Sequence, residues 1–111
     1  MDDRLPTELW VTATLRRFGA AARPAYLVRR GDPERGSVLV RLDGHRAGTR
    51  ILTQARDLDG RLIWLEAAEG RALPPDEAMA YVDRAVQRDP DLWVIEIETP
   101  DGATLFTGRV E

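Results

Sequence analysis

The densest concentration of reactive side chains lies near the carboxyl end, where Asp89, Asp91, Glu96 and Glu98 fall close together. Glu96 and Glu98 are two apart in a run that alternates like a strand, so they share a face with Cα atoms ~6.5–7 Å apart. Carboxylates so placed can hold a divalent cation, with Asp89 or Asp91 closing the site. Phosphodiester hydrolysis is the chemistry such an ion would support. Nuclease sites of that kind add a lysine, and this chain has none. The competing reading sets Glu96 and Glu98 opposite arginines such as Arg29, Arg41 or Arg109 on a neighbouring strand, each pair contributing ~0.2–1 kcal/mol. It makes Asp89 and Asp91 an ordinary acidic turn around Pro90. That second reading is favoured. The four acids stand as outside candidates for a metal-dependent hydrolase, and no catalytic residue or cofactor is assigned.

A second constellation is basic. All 16 cationic residues are arginine, and residues 1–56 hold 11 of them against 6 acids, whereas residues 57–111 hold 5 against 13. Arg16, Arg17, Arg29 and Arg30 form two adjacent pairs, and Trp10 sits at the edge of a helical stripe where it can anchor a protein partner. These five are the candidate binding residues. With Arg41, Arg46 and a stacking Tyr26 they could also meet phosphates and bases. Against nucleic acid stand the net charge of −3 and the alternation that sends adjacent strand residues to opposite faces. The absence of lysine and asparagine is what a G+C-rich genome produces, so the arginine count carries little weight.

Other chemistries fall away. Without cysteine there is no thiolate nucleophile, disulfide framework or Cys-zinc site. Without lysine there is no P-loop and no Schiff base. A serine triad would need Ser37 and His45, and neither lies in a nucleophile-elbow pattern. His45 belongs to the glycine-bounded loop Asp43–Gly48 and reads as an exposed turn residue, since a metal site there would need carboxylates distant in sequence. Arg30-Gly31-Asp32 reads as a turn.

The elements that position these residues are legible. Val11, Thr14, Leu15, Phe18 and Ala22 recur at helical spacing after Thr7, which can cap the helix, and Pro24 stops it. Four strand-like runs follow (25–30, 37–42, 49–56 and 61–67), joined by short turns, and predict an antiparallel meander. The last has apolar residues on both sides, so a central position covered on both faces is expected. Leu73-Pro74-Pro75-Asp76-Glu77 starts a second helix whose stripe is Met79, Val82, Ala85 and Val86. Asp91–Glu98 is the clearest strand, and Thr99-Pro100-Asp101-Gly102 turns the chain into a closing edge hairpin strand, 104–110. The expected architecture is one α+β domain spanning 1–111, an antiparallel or mixed sheet of five to six strands with two packed helices, in the order α-β-β-β-β-α-β-β. No apolar run approaches the ~18 residues of a membrane helix, and the acidic start leads to no continuous apolar stretch, so a cytoplasmic setting without a leader or membrane contact is expected.

Four stretches carry a resemblance: Glu8-Leu9-Trp10-Val11 running into Arg16-Arg17, Arg29-Arg30-Gly31-Asp32-Pro33, Gly36-Ser37-Val38-Leu39-Val40, and Asp89 to Glu98. In this order and spacing the chain resembles the bacterial family called domain of unknown function 1491. The resemblance implies a small free-standing cytosolic protein and brings no activity, cofactor or partner with it. On the residues themselves the leading expectation is a non-enzymatic interaction or adaptor domain. Its partner is an unidentified protein or a second copy of itself, paired through the strand after Pro90 or the final hairpin.

Overall fold

The computed structural model describes residues 5–100 and 109–110. Its elements run α1 (Thr7–Ala20), β1 (Ala25–Arg29), β2 (Val38–Asp43), β3 (Thr49–Arg56), β4 (Leu62–Glu66), α2 (Pro75–Arg88), β5 (Trp93–Glu98) and β6 (Arg109–Val110). The strands form one mixed sheet in the order β1-β5-β2-β3-β4-β6. The α+β class, the two helices and the element order are those expected from the sequence.

Hydrophobic patterning explains which strands occupy the centre. In β2, Val38, Leu39, Val40 and Leu42 are buried, and in β5 Trp93, Val94, Ile95 and Ile97 are too. Strands apolar on both faces are covered only where helices lie on both sides. β5 accordingly inserts between β1 and β2, antiparallel to the first and parallel to the second. The meander therefore holds for β2, β3 and β4 but not for β1. The central position expected for the run at 61–67 also fails, because β4 lies away from the middle and its Leu65 is exposed. β5 has neighbours on both sides, which removes the strand after Pro90 as a self-association edge. β6 pairs parallel with β4 and is no hairpin partner of β5; the rest of that expected strand and its turn fall at 101–108, outside the described residues.

The helices cover opposite faces. Trp10, Val11 and Phe18 of α1 pack on Val40, Leu42, Trp64, Trp93, Ile95 and Ile97. Ala78, Val82 and Ala85 of α2 pack on Leu39, Ile51 and Val94. Each large side chain fully buried here stabilises the fold by ~1.5–3 kcal/mol. Three local expectations are corrected. Met79 is 60% exposed, because the buried line runs through Ala78, Val82 and Ala85, one residue round the helix. Thr7 does not cap α1: the Thr7 and Glu8 amides donate to the Glu34 and Pro33 carbonyls, and the Thr7 hydroxyl donates to Gly36 O at 2.7 Å. Trp10 is no exposed anchor; it is 9% exposed, with its ring centroid 5.8 Å from that of Trp64.

Candidate functional site

Because β2 and β5 run parallel, their ends define two rims, and the sequence candidates divide between them. At the amino-terminal rim the chain closes on itself. Trp93 Nε1 donates to Asp32 O at 2.6 Å, tying the 31–36 turn to β5. Gly31 and Gly36 lie against the Asp91 carbonyl and the Trp93 ring, where a Cβ would collide. Arg29 Nη1 donates to the carbonyls of Pro90 and Leu92 at 2.9 and 2.8 Å. Arg30 stacks over Trp93, 5.2 Å from the ring centroid, and pairs with Glu8 on α1. Arg17 lies over Phe18 at 4.8 Å. Of the five candidate binding residues, Arg16 stands on an exposed face of α1, whereas Arg29 and Arg30 cement a rim. Asp89 and Asp91 also lie here, at the far end of β5 from Glu98. Seven strand-like steps at ~3.3 Å separate Asp91 from Glu98 by roughly 20 Å, so the four acids do not converge.

The carboxyl-terminal rim is open. Asp43 and Glu98 are the last residues of β2 and β5 and face each other across the parallel ladder. Two residues inward on each strand, Arg41 pairs with Glu96 at 2.8 Å, and Tyr26 sits beside Glu96 on β1. The cross-strand pairing of Glu96 with Arg41 is therefore real, and it takes Glu96 out of any cation site. Glu98 keeps different company. Tyr26 donates its hydroxyl to Glu98 Oε2 at 3.0 Å, and His45 Nε2 lies 3.1 Å from Glu98 Oε1. The other ring nitrogen, Nδ1, lies 3.8 Å from Asp43 Oδ2.

The local fold forces this meeting. His45 follows β2 by two residues, and its amide donates to Asp43 Oδ1 at 2.8 Å. Its φ of 56° is in the left-handed region, where a non-glycine residue is held at a cost. The Thr99 amide donates to Asp43 O at 2.7 Å, locking the two strand ends together. The hydrogen bond and the negative charge of Glu98 raise the Tyr26 pKa above its ordinary 10.0, with Glu96 adding to the effect. Beside His45 and Glu98 opens a depression of about 370 Å³, walled by Ala21, Ala22, Arg23, Pro24 and Pro100. Arg23 Nη1 donates to Glu98 O at 3.4 Å. Sequence reasoning passed over Asp43, named Tyr26 only as a stacking residue for bases, and set His45 aside as a turn residue. The only signal available was the histidine itself.

β1 is the outer strand on this side of the sheet. Its Tyr26, Leu27 and Val28 are 50%, 44% and 46% exposed. The register with β5 shifts between Leu27 and Arg29, a bulge that ends the regular edge. Among the described residues no helix is long and apolar enough to cross a membrane.

The family described as "Protein of unknown function (DUF1491)" matches residues 5–107. The crystal structure of a DUF1491 family protein from Caulobacter crescentus CB15 is 34% identical over 97% of this chain and 98% of its own, with a TM-score of 0.83. The solution (NMR) structure of a DUF1491 family protein from the same organism is 36% identical over 97% of each chain, TM-score 0.82. Protein Atu0922 from A. tumefaciens, also solved in solution, is 27% identical over 86% of each chain, TM-score 0.71. No curated protein matches the chain.

Proposed function

The chain belongs to the DUF1491 family of proteins of unknown function, and we propose that it is a non-enzymatic, cytoplasmic protein-interaction domain that works by strand addition at the free edge of β1. One observation carries the reading: three consecutive apolar residues, Tyr26, Leu27 and Val28, stand roughly half exposed on an edge strand. Edge strands offer unpaired backbone groups to another chain, and folds that avoid such pairing place charges along the edge. Here the nearest cation in the strand, Arg29, is drawn back onto the Pro90 and Leu92 carbonyls.

The partner that fits is a second copy of the chain. Pro24 O accepts from the Glu98 amide, so by the alternation of an antiparallel ladder Pro24 and Tyr26 turn their backbone groups towards β5, and Ala25 and Leu27 turn theirs outward. A two-fold axis at Leu27 then lets Leu27 of each copy exchange both backbone bonds. It sets Tyr26 beside the partner's Val28, an aromatic and β-branched pair of the kind that stabilises sheets. Each Arg29 falls opposite an alanine, with the two arginines ~13 Å apart along the strands, so like charges do not meet. The footprint is short and interrupted by the bulge, which makes the association weak and reversible.

Sedimentation equilibrium over a concentration series tests this. The wild-type chain is expected to dimerise in the micromolar range, and Leu27→Lys to remain monomeric with unchanged far-ultraviolet circular dichroism. A wild-type chain that stays monomeric at high concentration, or a Leu27→Lys variant that dimerises equally well, removes the reading.

A further inference from the structure

We propose that Asp43, His45 and Glu98 form a binding site for a divalent transition-metal ion at the carboxyl-terminal rim. One ring nitrogen of His45 and one oxygen from each carboxylate lie within 4.8 Å of one another. The closest pair, His45 Nε2 and Glu98 Oε1, is 3.1 Å apart. With metal–ligand bonds of ~2.0–2.2 Å, neighbouring donors in a tetrahedral or octahedral shell stand ~2.9–3.4 Å apart, so this pair already spans one edge of such a shell. The remaining separation is closed by rotating side chains, because the backbone is set: parallel register places Asp43 opposite Glu98, and the Asp43–His45 turn brings the imidazole between them.

Three further features suit an ion rather than a plain salt bridge. Imidazole is the commonest protein ligand for transition metals, and His45 presents a ring nitrogen to each of the two carboxylates. Tyr26 donates to the second oxygen of Glu98, leaving Oε1 turned to His45; outer hydrogen bonds of this kind orient metal ligands. The depression against His45 and Glu98 gives an ion open positions for water. One nitrogen and two carboxylate donors favour zinc, manganese or iron(II) over calcium and magnesium, which prefer all-oxygen shells.

Calorimetric titration of the chelator-treated full chain with Zn²⁺ and with Mn²⁺ tests the site. One equivalent is expected to bind, with Mg²⁺ and Ca²⁺ at least ten-fold weaker. His45→Ala and Glu98→Gln are each expected to lower the affinity ten-fold or more, and Tyr26→Phe, which removes only the orienting hydroxyl, by several-fold. Paramagnetic broadening by Mn²⁺ in the amide spectrum of the unmutated chain gives a readout that needs no variant: it should centre on residues 43–45 and 98–99. Absence of saturable binding, affinity unchanged in both ligand variants, or broadening centred on Asp89 and Asp91 overturns the proposal.

Discussion

The two ends of the β2–β5 pair both gather charged side chains and put them to opposite uses. At the amino-terminal rim, arginines, glycines and a tryptophan are consumed in closing loops onto strands: Arg29 on two carbonyls, Arg30 on Glu8 and Trp93, Gly31 and Gly36 against the Asp91 carbonyl. At the carboxyl-terminal rim, charged and polar side chains face one another around open space. The lesson is that clustering of charge says little by itself. What matters is whether the groups are engaged by backbone, as Arg29 is, or by one another, as His45 and Glu98 are. Backbone engagement, as at Arg29, ties loop to strand, whereas the side-chain pairs of the open rim are the ones proposed to accept an ion.

If that contrast is right, the largest effects on stability come from the closed rim. Trp93→Ala should lower stability by ~3–5 kcal/mol, the usual range for a buried tryptophan. At this chain length that is a fall in Tm of well over ten degrees, roughly four degrees for each kcal/mol. Gly31→Ala follows, at ~1–3 kcal/mol or more, because its methyl would meet the Asp91 carbonyl and the Leu92 backbone. Arg16→Ala, on the exposed face of α1, should stay within ~0.5 kcal/mol. Thermal melts of the three variants would erase the distinction if Trp93→Ala and Arg16→Ala proved alike.

The open rim should respond differently. His45→Gly removes a side chain from a left-handed backbone position, where glycine carries no steric cost. It also loses exposed pairings with Asp43 and Glu98, which contribute little. The two changes oppose, so stability in metal-free buffer is expected to shift by less than ~1 kcal/mol. A loss as large as that of Gly31→Ala would show that His45 is another structural tie.

How far the sequence revealed this arrangement depends on the range of the interaction. Local patterns were readable: the alternation in Trp93–Glu98, the helix after Pro74-Pro75 and the α+β class with two helices on an antiparallel or mixed sheet all follow from periodicity and turn chemistry. Strand neighbours were not, because nothing local says that β5 inserts between β1 and β2. That single topological fact brings Glu98 to Asp43 and Tyr26, whereas its distance from Asp91 follows from the extended length of β5 itself. The insertion also explains why His45, expected and found as an exposed turn residue, gave no hint of its carboxylate neighbour, Glu98, which is 53 positions away in the chain and adjacent in the fold. Trp10 failed for a different reason: the width of a helix's buried face is set by what packs on it, and Trp64 reaches far enough to cover a residue at the stripe's edge.

The smallest effect reads the open rim directly. Tyr26 titrates above its ordinary 10.0, first because its hydroxyl is held by the Glu98 carboxylate, then through desolvation and the charges of Glu98 and Glu96. The protonated phenol is the form favoured in the fold. Its contribution to stability is therefore complete below the unfolded value near 10 and disappears as pH rises through the higher folded value. In a Tyr81→Phe background, Tyr26 is the sole tyrosine, and its ultraviolet titration should move back towards the ordinary value in Glu98→Gln, which keeps an acceptor but removes the charge. Added Zn²⁺ should move it the same way in the chain that retains Glu98, since a cation on Oε1 offsets the carboxylate's charge. A midpoint indifferent to both changes would mean that Tyr26 and Glu98 are neighbours without being partners, and the rim would lose the hydroxyl that orients it.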